Sequence, residues 1–244
     1  MSKHIAATKA AFEKISPIYD RLRRKPWTTI VRLIEAVYRP PLLDAGCGTG
    51  RHSTPFLEKG DVVAVDIAYN MVKILNSKTR HKNLHAVVAD LSRLPLRDSC
   101  IGTAIYIASI HHLPKKQRTR ALVELRRVLR EKCYAVITAW SLLQLKLFAE
   151  ALKQYVLSKL KIRHLVEDFG DVYIKWHTPS GPVYRFYHLY VPRELDREVE
   201  KIGLRIVGSY RFNPHRKLFE NFVVLVVKSD EARASGEMKK RSSV

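Results

Sequence analysis

The sequence predicts an α/β fold, a mostly parallel β-sheet with helices on both of its faces. Three observations carry that expectation. Short β-branched apolar runs alternate with amphipathic helical patterns, a glycine-rich stretch (LLDAGCGTG, Leu42 to Gly50) sits at a strand-to-helix junction, and the next apolar run, VVAVD, ends on Asp66.

In chain order, PPLLDAG, DVVAVD, LHAVVAD, IGTAIYIAS and CYAVITAW read as buried strands, because each is a run of roughly four to eight residues bounded by Gly, Pro or charge. Between the last two, KKQRTRALVELRRVLREK sets Leu122, Leu125, Val128 and Leu129 at helical spacing, with basic residues on the other face. The stretch from Trp140 to Tyr190 is too long for a simple crossover and is expected to be an insertion, about 141–190. PRELDREVEKIG then reads as a helix, and LRIVGSY and NFVVLVVK as two more strands. Residues 1–229 are expected to form a single domain and 230–244 a disordered polar tail.

A chain of 244 residues with 46% hydrophobic content can bury a proper core. Its formal charge of +21 concentrates polyanions around it. Nucleic acid is therefore the leading partner. A membrane surface ranks second, since no single basic amphipathic helix stands out, and a basic surface without any polyanion partner is the bland alternative. No apolar window reaches the roughly 18 residues that a membrane helix needs, and the first residues lack a signal-peptide core. Cys47, Cys100 and Cys133 are scattered with no CxxC pair, which points to neither a disulfide framework nor a zinc ribbon. A reducing, cytoplasmic location is expected.

Gly46, Gly48 and Gly50 let the backbone turn sharply and approach a ligand, and the amides of a following helix start favour anionic or polar groups. The dinucleotide fingerprint wants its third glycine one place later, where Arg51 stands, so NAD is disfavoured. Asp66 lies about where an acid accepts hydrogen bonds from a ribose diol, with a helix N-cap as its other possible role. Together these features specify a nucleotide-like cofactor.

The run Asp44-Ala45-Gly46-Cys47-Gly48-Thr49-Gly50 with Asp66 resembles the S-adenosyl-L-methionine (SAM) site of class I methyltransferases. The resemblance covers Pro41 to Trp140, and the last two strands resemble that family's terminal antiparallel hairpin. It implies a Rossmann-like seven-stranded sheet, mostly parallel with an antiparallel last strand. It also implies SAM as cofactor, bound by Asp44, Gly46, Cys47, Gly48, Gly50, Asp66 and Ile67. Asp90 and Leu91 would meet the adenine, and Ile107 and Ala108 the methionine moiety and sulfonium.

A narrower resemblance concerns the substrate. IYIASIHHLPKKQRTRA, TAWSLLQ, DVYIKW, RFYHLYVPRELDREVEKIGLRIV and ENFVVLVVK resemble, in order, the tRNA methyltransferases that esterify carboxymethyluridine at the wobble position. ISPIYDRLRRKPW is similar to their opening pattern, with Tyr19, Asp20, Arg23, Pro26 and Trp27 at matching positions. The sequence departs from the pattern at Thr49, at Arg51-His52, at Leu22, at Lys175 and at Glu131-Lys132.

By this resemblance the insertion lies on the substrate side, Trp27, Trp140, Trp176 and Tyr187 stand at the rim of the site, and His188 bonds the nucleoside. Each could instead pack the insertion onto the sheet. Lys159 and Lys161, with Lys146, Lys153 and Arg163, would meet phosphates or form a solvated face. The implied partners are a tRNA anticodon stem-loop and a small zinc-binding activator protein seated on the LHAVVAD sheet edge, which a free monomer would leave bare. Two alternatives stand beside this reading: a methyltransferase of a small-molecule carboxylate or other metabolite, and an RNA-binding subunit without turnover.

A carboxylate is already ionised at neutral pH, so its attack on a sulfonium methyl needs no general base. It needs a cation that holds it without quenching it. Arg23 is the first candidate, because a guanidinium grips a carboxylate in bidentate geometry, and Arg185 is the second, although it could equally meet a backbone phosphate. His111 and His112 leave the carboxyl end of the fourth strand, where open parallel sheets bind ligands. Adjacent residues on an extended chain point to opposite faces and no metal-ligand spacing accompanies them, so no metal is expected. One histidine is expected to face the active site and the other the supporting layer, with the assignment open; closing the strand is the alternative role for both.

Overall fold

The computed structural model describes residues 3–162, 166–179, 181–213 and 221–229. The expected disordered tail, 230–244, and Arg163 lie outside the described residues.

Two helices open the chain, α1 (Lys3–Leu22) and α2 (Thr28–Val37). There follow β1 (Leu42–Ala45), β2 (Val62–Asp66), α3 (Tyr69–Lys78), β3 (Leu84–Val88), β4 (Ile101–Ile107), α4 (Lys115–Val128) and β5 (Leu129–Trp140). The insertion supplies α5 (Leu145–Lys159), β6 (Asp171–Thr178) and β7 (Gly181–His188), and the chain returns through α6 (Glu194–Lys201), β8 (Leu204–Phe212) and β9 (Asn221–Lys228). The main sheet runs β3-β2-β1-β4-β5-β9-β8. β1 to β5 are mutually parallel, and β9 lies antiparallel to both β5 and β8. This is the expected seven-stranded architecture. No described helix is long and apolar enough to cross a membrane.

The strands bury alternate residues on opposite faces, as a period of two requires. Leu43, Ala104, Tyr106, Ala135 and Val224 pack with Leu122 and Leu125 of α4 and Leu195 and Val199 of α6. Their neighbours Leu42, Ile105, Val136 and Leu225 pack with Ile30 and Ile34 of α2. Helices therefore cover both faces, and the carboxyl ends of β1, β2 and β4 point to one rim.

The sequence reading is corrected at two places. Leu129, expected on the face of α4, opens β5 and pairs with Ile101 before a register shift. Val128 and Leu129 are adjacent apolar residues that satisfy either periodicity, so the pattern alone could not set the boundary. The insertion, read only as helical and basic, also carries the antiparallel β6–β7 hairpin, which forms a second sheet.

The segment that leaves the hairpin is tied to α4 and α6 by buried polar groups. Arg118, 1% exposed, donates to Glu198 Oε1 (2.9 Å) and to the Leu113 carbonyl (3.2 Å), and Tyr190 Oη donates to Glu198 Oε2 (2.9 Å). A buried hydrogen bond to a charged acceptor contributes about 1.5–3 kcal/mol. Tyr190→Phe is therefore expected to destabilise the protein by roughly 2 kcal/mol, read as a lower urea midpoint at unchanged slope.

Candidate functional site

The first cavity forms where β1, β2 and β4 end. The backbone turns left-handed at Gly46 (φ +79°) and Gly48 (φ +53°), conformations that suit glycine. A Cβ on Gly46 would collide with Ser109, so the turn fits only without a side chain there. Asp66 braces this turn: Oδ2 accepts the Gly48 amide and Oδ1 the Ala68 amide, both at 2.9 Å. Burial raises its carboxyl above the usual carboxylate range, and the amide bonds oppose that shift.

Of the expected cofactor residues, Gly46, Gly48, Asp66, Ile67, Asp90, Leu91, Ile107 and Ala108 line this cavity. Asp44, Cys47 and Gly50 lie outside its lining. They are packed behind the turn. Burial pushes the Asp44 carboxyl up to about 7, partly offset by a bond from Ser53. Cys47 packs with Ala64 and Leu75, and a Cβ on Gly50 would meet Leu75.

The residues missed from the sequence close the cavity from above. Ile5, Thr8, Phe12 and Tyr19 of α1 form its roof, with Met71, Ser109 and Leu113 at its sides. Helical spacing marks an apolar face on α1 but does not say what that face covers. Glu13 fixes the helix there by accepting the Tyr69 and Asn70 amides (2.7 and 2.8 Å) at the start of α3.

The second cavity shares Tyr19, Ala108 and His112 with the first and is walled by aromatics. Tyr187 stacks on Trp140 (4.8 Å) and on His111 (5.3 Å). The Arg185 guanidinium lies 4.3 Å above Trp176 and 5.0 Å from the Tyr187 ring. Arg23, Trp27, Arg51 and Asn221 also line it. The structure thus brings Arg23, His111, His112, Trp27, Trp140, Trp176, Arg185 and Tyr187 together. Asn221 escaped the sequence reading because it heads an otherwise apolar strand; it stands opposite Trp140 in the β5–β9 register.

Both histidines reach this cavity, which corrects the expectation of opposite faces. Ile110 to His112 make a 3-10 turn rather than extended chain, so adjacent rings swing to the same side. His111 Nδ1 accepts the Trp140 amide (3.2 Å), and His112 Nδ1 donates to the Phe186 carbonyl (2.9 Å). The two rings are therefore opposite tautomers. Burial, reinforced by Arg185, pushes His112 down to about 3 and His111 well below its ordinary value. Neither ring is expected to protonate between pH 5 and 8. Nitrogen-resolved NMR of the imidazoles checks this by the absence of a titration in that range.

His188 is corrected as well. Its ring nitrogens face Asp171 Oδ1 (2.8 Å) and Glu194 Oε1 (2.9 Å), and the imidazole lines neither cavity. Burial alone would lower its pKa, but the two carboxylates outweigh that and raise it, so it ties the hairpin to α6. Lys159 and Lys161 sit exposed at the end of α5, Lys159 over the Tyr155 ring, and line neither cavity.

Six buried side-chain polar atoms among the described residues lack a hydrogen-bond partner, and four of them lie here. Thr8 Oγ1 and Ser109 Oγ belong to the first cavity, Arg185 Nε and Asn221 Oδ1 to the second. An unpaired buried polar group costs roughly 1–3 kcal/mol, so their concentration marks where the polar groups of ligands belong.

Comparison with known proteins agrees with this geometry. Residues 42–132 match the family model described as a methyltransferase domain. An Arabidopsis thaliana tRNA (carboxymethyluridine(34)-5-O)-methyltransferase is 30% identical over 132 residues, 53% of this chain and 31% of that protein. The chain thus spans about a third of the length of that curated relative. Among solved structures, a SAM-dependent methyltransferase from Methanosarcina mazei superposes with TM-score 0.67 at 20% identity, covering 81% of this chain and 97% of that one. A chain of the complex between the Haloferax volcanii Trm112 methyltransferase activator and a putative methyltransferase superposes with TM-score 0.66 at 12% identity, covering 91% and 97%. The fold is that of the class I SAM-dependent methyltransferases, and the first cavity lies where open α/β sheets take a nucleotide-like ligand. Its residues fit SAM: a carboxylate for a diol, an apolar wall, and unpaired hydroxyls for the polar end.

Proposed function

We propose that the protein is a SAM-dependent tRNA methyltransferase that esterifies the carboxylate of carboxymethyluridine, or of a related acid-bearing uridine, at the wobble position. One observation carries the reading. Arg185 is a buried guanidinium with no salt-bridge partner among the described residues, set in an aromatic cavity that shares walls with the cofactor cavity. A ligand that supplies both an anion and a flat ring satisfies it, and an acid-bearing pyrimidine is such a ligand. The net charge of +21 and the names of the curated relatives support tRNA as its carrier.

Bound SAM supplies an electrophilic methyl group on a sulfonium. Arg185, with Arg23 beside it, orients the acceptor carboxylate, and the aromatic walls exclude water from it. Such positioning can account for roughly 7–11 kcal/mol of a barrier. His111 and His112 stay neutral and so add no further positive charge to that of the two guanidinium groups. No group in the cavity has to remove a proton, because the nucleophile is already an anion.

The partner proposed for this activity is a small activator protein on β3, the edge strand of the sheet. No described strand pairs with its outer side, and Val88 there is 43% exposed. The reading is tested with methyl-labelled SAM offered to bulk tRNA and to small carboxylic acids, with and without candidate activators. Label entering tRNA is expected; label confined to the acids assigns the site to a metabolite instead.

A further inference from the structure

A third concave site lies on the far side of Trp27. It is lined by Arg21, Arg23, Arg24, Lys25 and Arg51 together with Trp27 and Phe212, and no Asp or Glu lines it. None of those cations makes a salt bridge among the described residues. Arg51 is half-buried and lies 4.9 Å from the Trp27 ring; burial and the neighbouring Arg23 both lower its pKa. Arg23 and Arg51, both half-buried, are like charges that repel one another unless an anion joins them. Thr28 and Thr29, the first residues of α2, also line the site, so helix amides that no side chain caps add their positive ends to it.

The position of this trough gives it a purpose. It shares Arg23, Trp27 and Arg51 with the acceptor cavity, which in turn shares Tyr19, Ala108 and His112 with the cofactor cavity. Three sites thus follow one another: methyl donor, acceptor, polycation. Resting on the function proposed above, we infer that the trough binds the phosphodiester backbone beside the target nucleotide, holding the strand while the base enters the aromatic cavity. A single-stranded nucleic acid fits because its phosphates recur along a flexible chain and because Trp27 and Phe212 offer faces to a flanking base.

The test uses Arg24→Ala with Lys25→Ala, two exposed positions outside the acceptor cavity, and an anticodon stem-loop RNA as probe. Binding is measured across a salt series in the full chain. Each lost phosphate contact on a single strand lowers the slope of log K against log salt by roughly 0.7, so the pair is expected to flatten it by about 1.4. Affinity at moderate salt should fall about tenfold or more, with SAM binding unchanged. A matched pair, Arg39→Ala with Arg205→Ala, removes equal charge at the opposite end of the sheet and is expected to leave the slope as it was. If the Arg24/Lys25 pair keeps the wild-type slope, or if both pairs flatten it equally, the trough is not a phosphate site even while tRNA methylation stands. If the wild-type protein shows no salt-dependent RNA binding at all, the trough and the tRNA reading fall together.

Discussion

Gly48→Arg is expected to weaken SAM binding at least 1,000-fold, about 4 kcal/mol, while leaving the protein folded. The backbone there is left-handed at φ +53°, which costs a side-chain-bearing residue about 1–2 kcal/mol. The first atom of a side chain can be placed: a Cβ would stand 3.4 Å from the Tyr19 ring, an ordinary van der Waals distance. The remaining atoms of an arginine are expected to enter the cofactor cavity, which Gly48 lines. Gly48→Ala separates the two effects, since it carries the backbone cost without filling the cavity, and should lose only about tenfold in affinity. Calorimetric titration with SAM, paired with a thermal melt, measures both. Tight binding by Gly48→Arg would place the cofactor elsewhere.

Arg185→Ala is expected to lower kcat/KM on the tRNA acceptor by about 100- to 1,000-fold and to leave SAM affinity within about twofold. Removing one partner of a buried, hydrogen-bonded charge pair costs about 2–5 kcal/mol, and each 1.36 kcal/mol is a factor of ten. Arg185→Lys keeps the charge but loses the planar fork that lies over Trp176, so it should recover only part of the loss, roughly tenfold. A loss of SAM binding in either variant would show that the residue supports the fold rather than the acceptor. Undiminished turnover would remove the carboxylate clamp from the mechanism.

The parts of the fold that were legible in the sequence are those fixed locally. Gly46 and Gly48 stand out because the turn needs left-handed backbone, and Asp66 because it ends a strand of clear β-branched character. Asp44, Cys47 and Gly50 belong to the same motif yet lie outside the cavity lining and pack behind the turn, a distinction that spacing alone does not make. The roof of the cavity was illegible for another reason. Ile5, Phe12 and Tyr19 form an ordinary helical stripe, and long-range bonds, from the start of α3 to Glu13 and from Lys78 to Asp20, decide what the stripe covers.

Long-range pairing also explains the acceptor cavity. Trp176 and Arg185 are drawn together by the β6–β7 register, where Ile174 faces Arg185 and Trp176 faces Val183, a hairpin passed over in the sequence reading although PSGP separates two aromatic and β-branched runs. By the resemblance His188 was expected to bond the nucleoside. Two carboxylates far from it in sequence or across a turn, Asp171 and Glu194, claim both of its nitrogens instead. His111 and His112 were placed at the right rim, but the 3-10 turn that aims both rings into one cavity leaves no mark on the pattern of apolar residues.

The most direct measurement is nucleoside mass spectrometry of tRNA incubated with the protein, its candidate activator and SAM. The expected product is a wobble carboxymethyluridine heavier by one methyl ester, which mild alkali converts back to the acid. Wobble nucleosides that stay unchanged while the protein binds SAM and methylates some other acceptor, or a methyl group on tRNA that alkali does not release, would contradict the proposed chemistry.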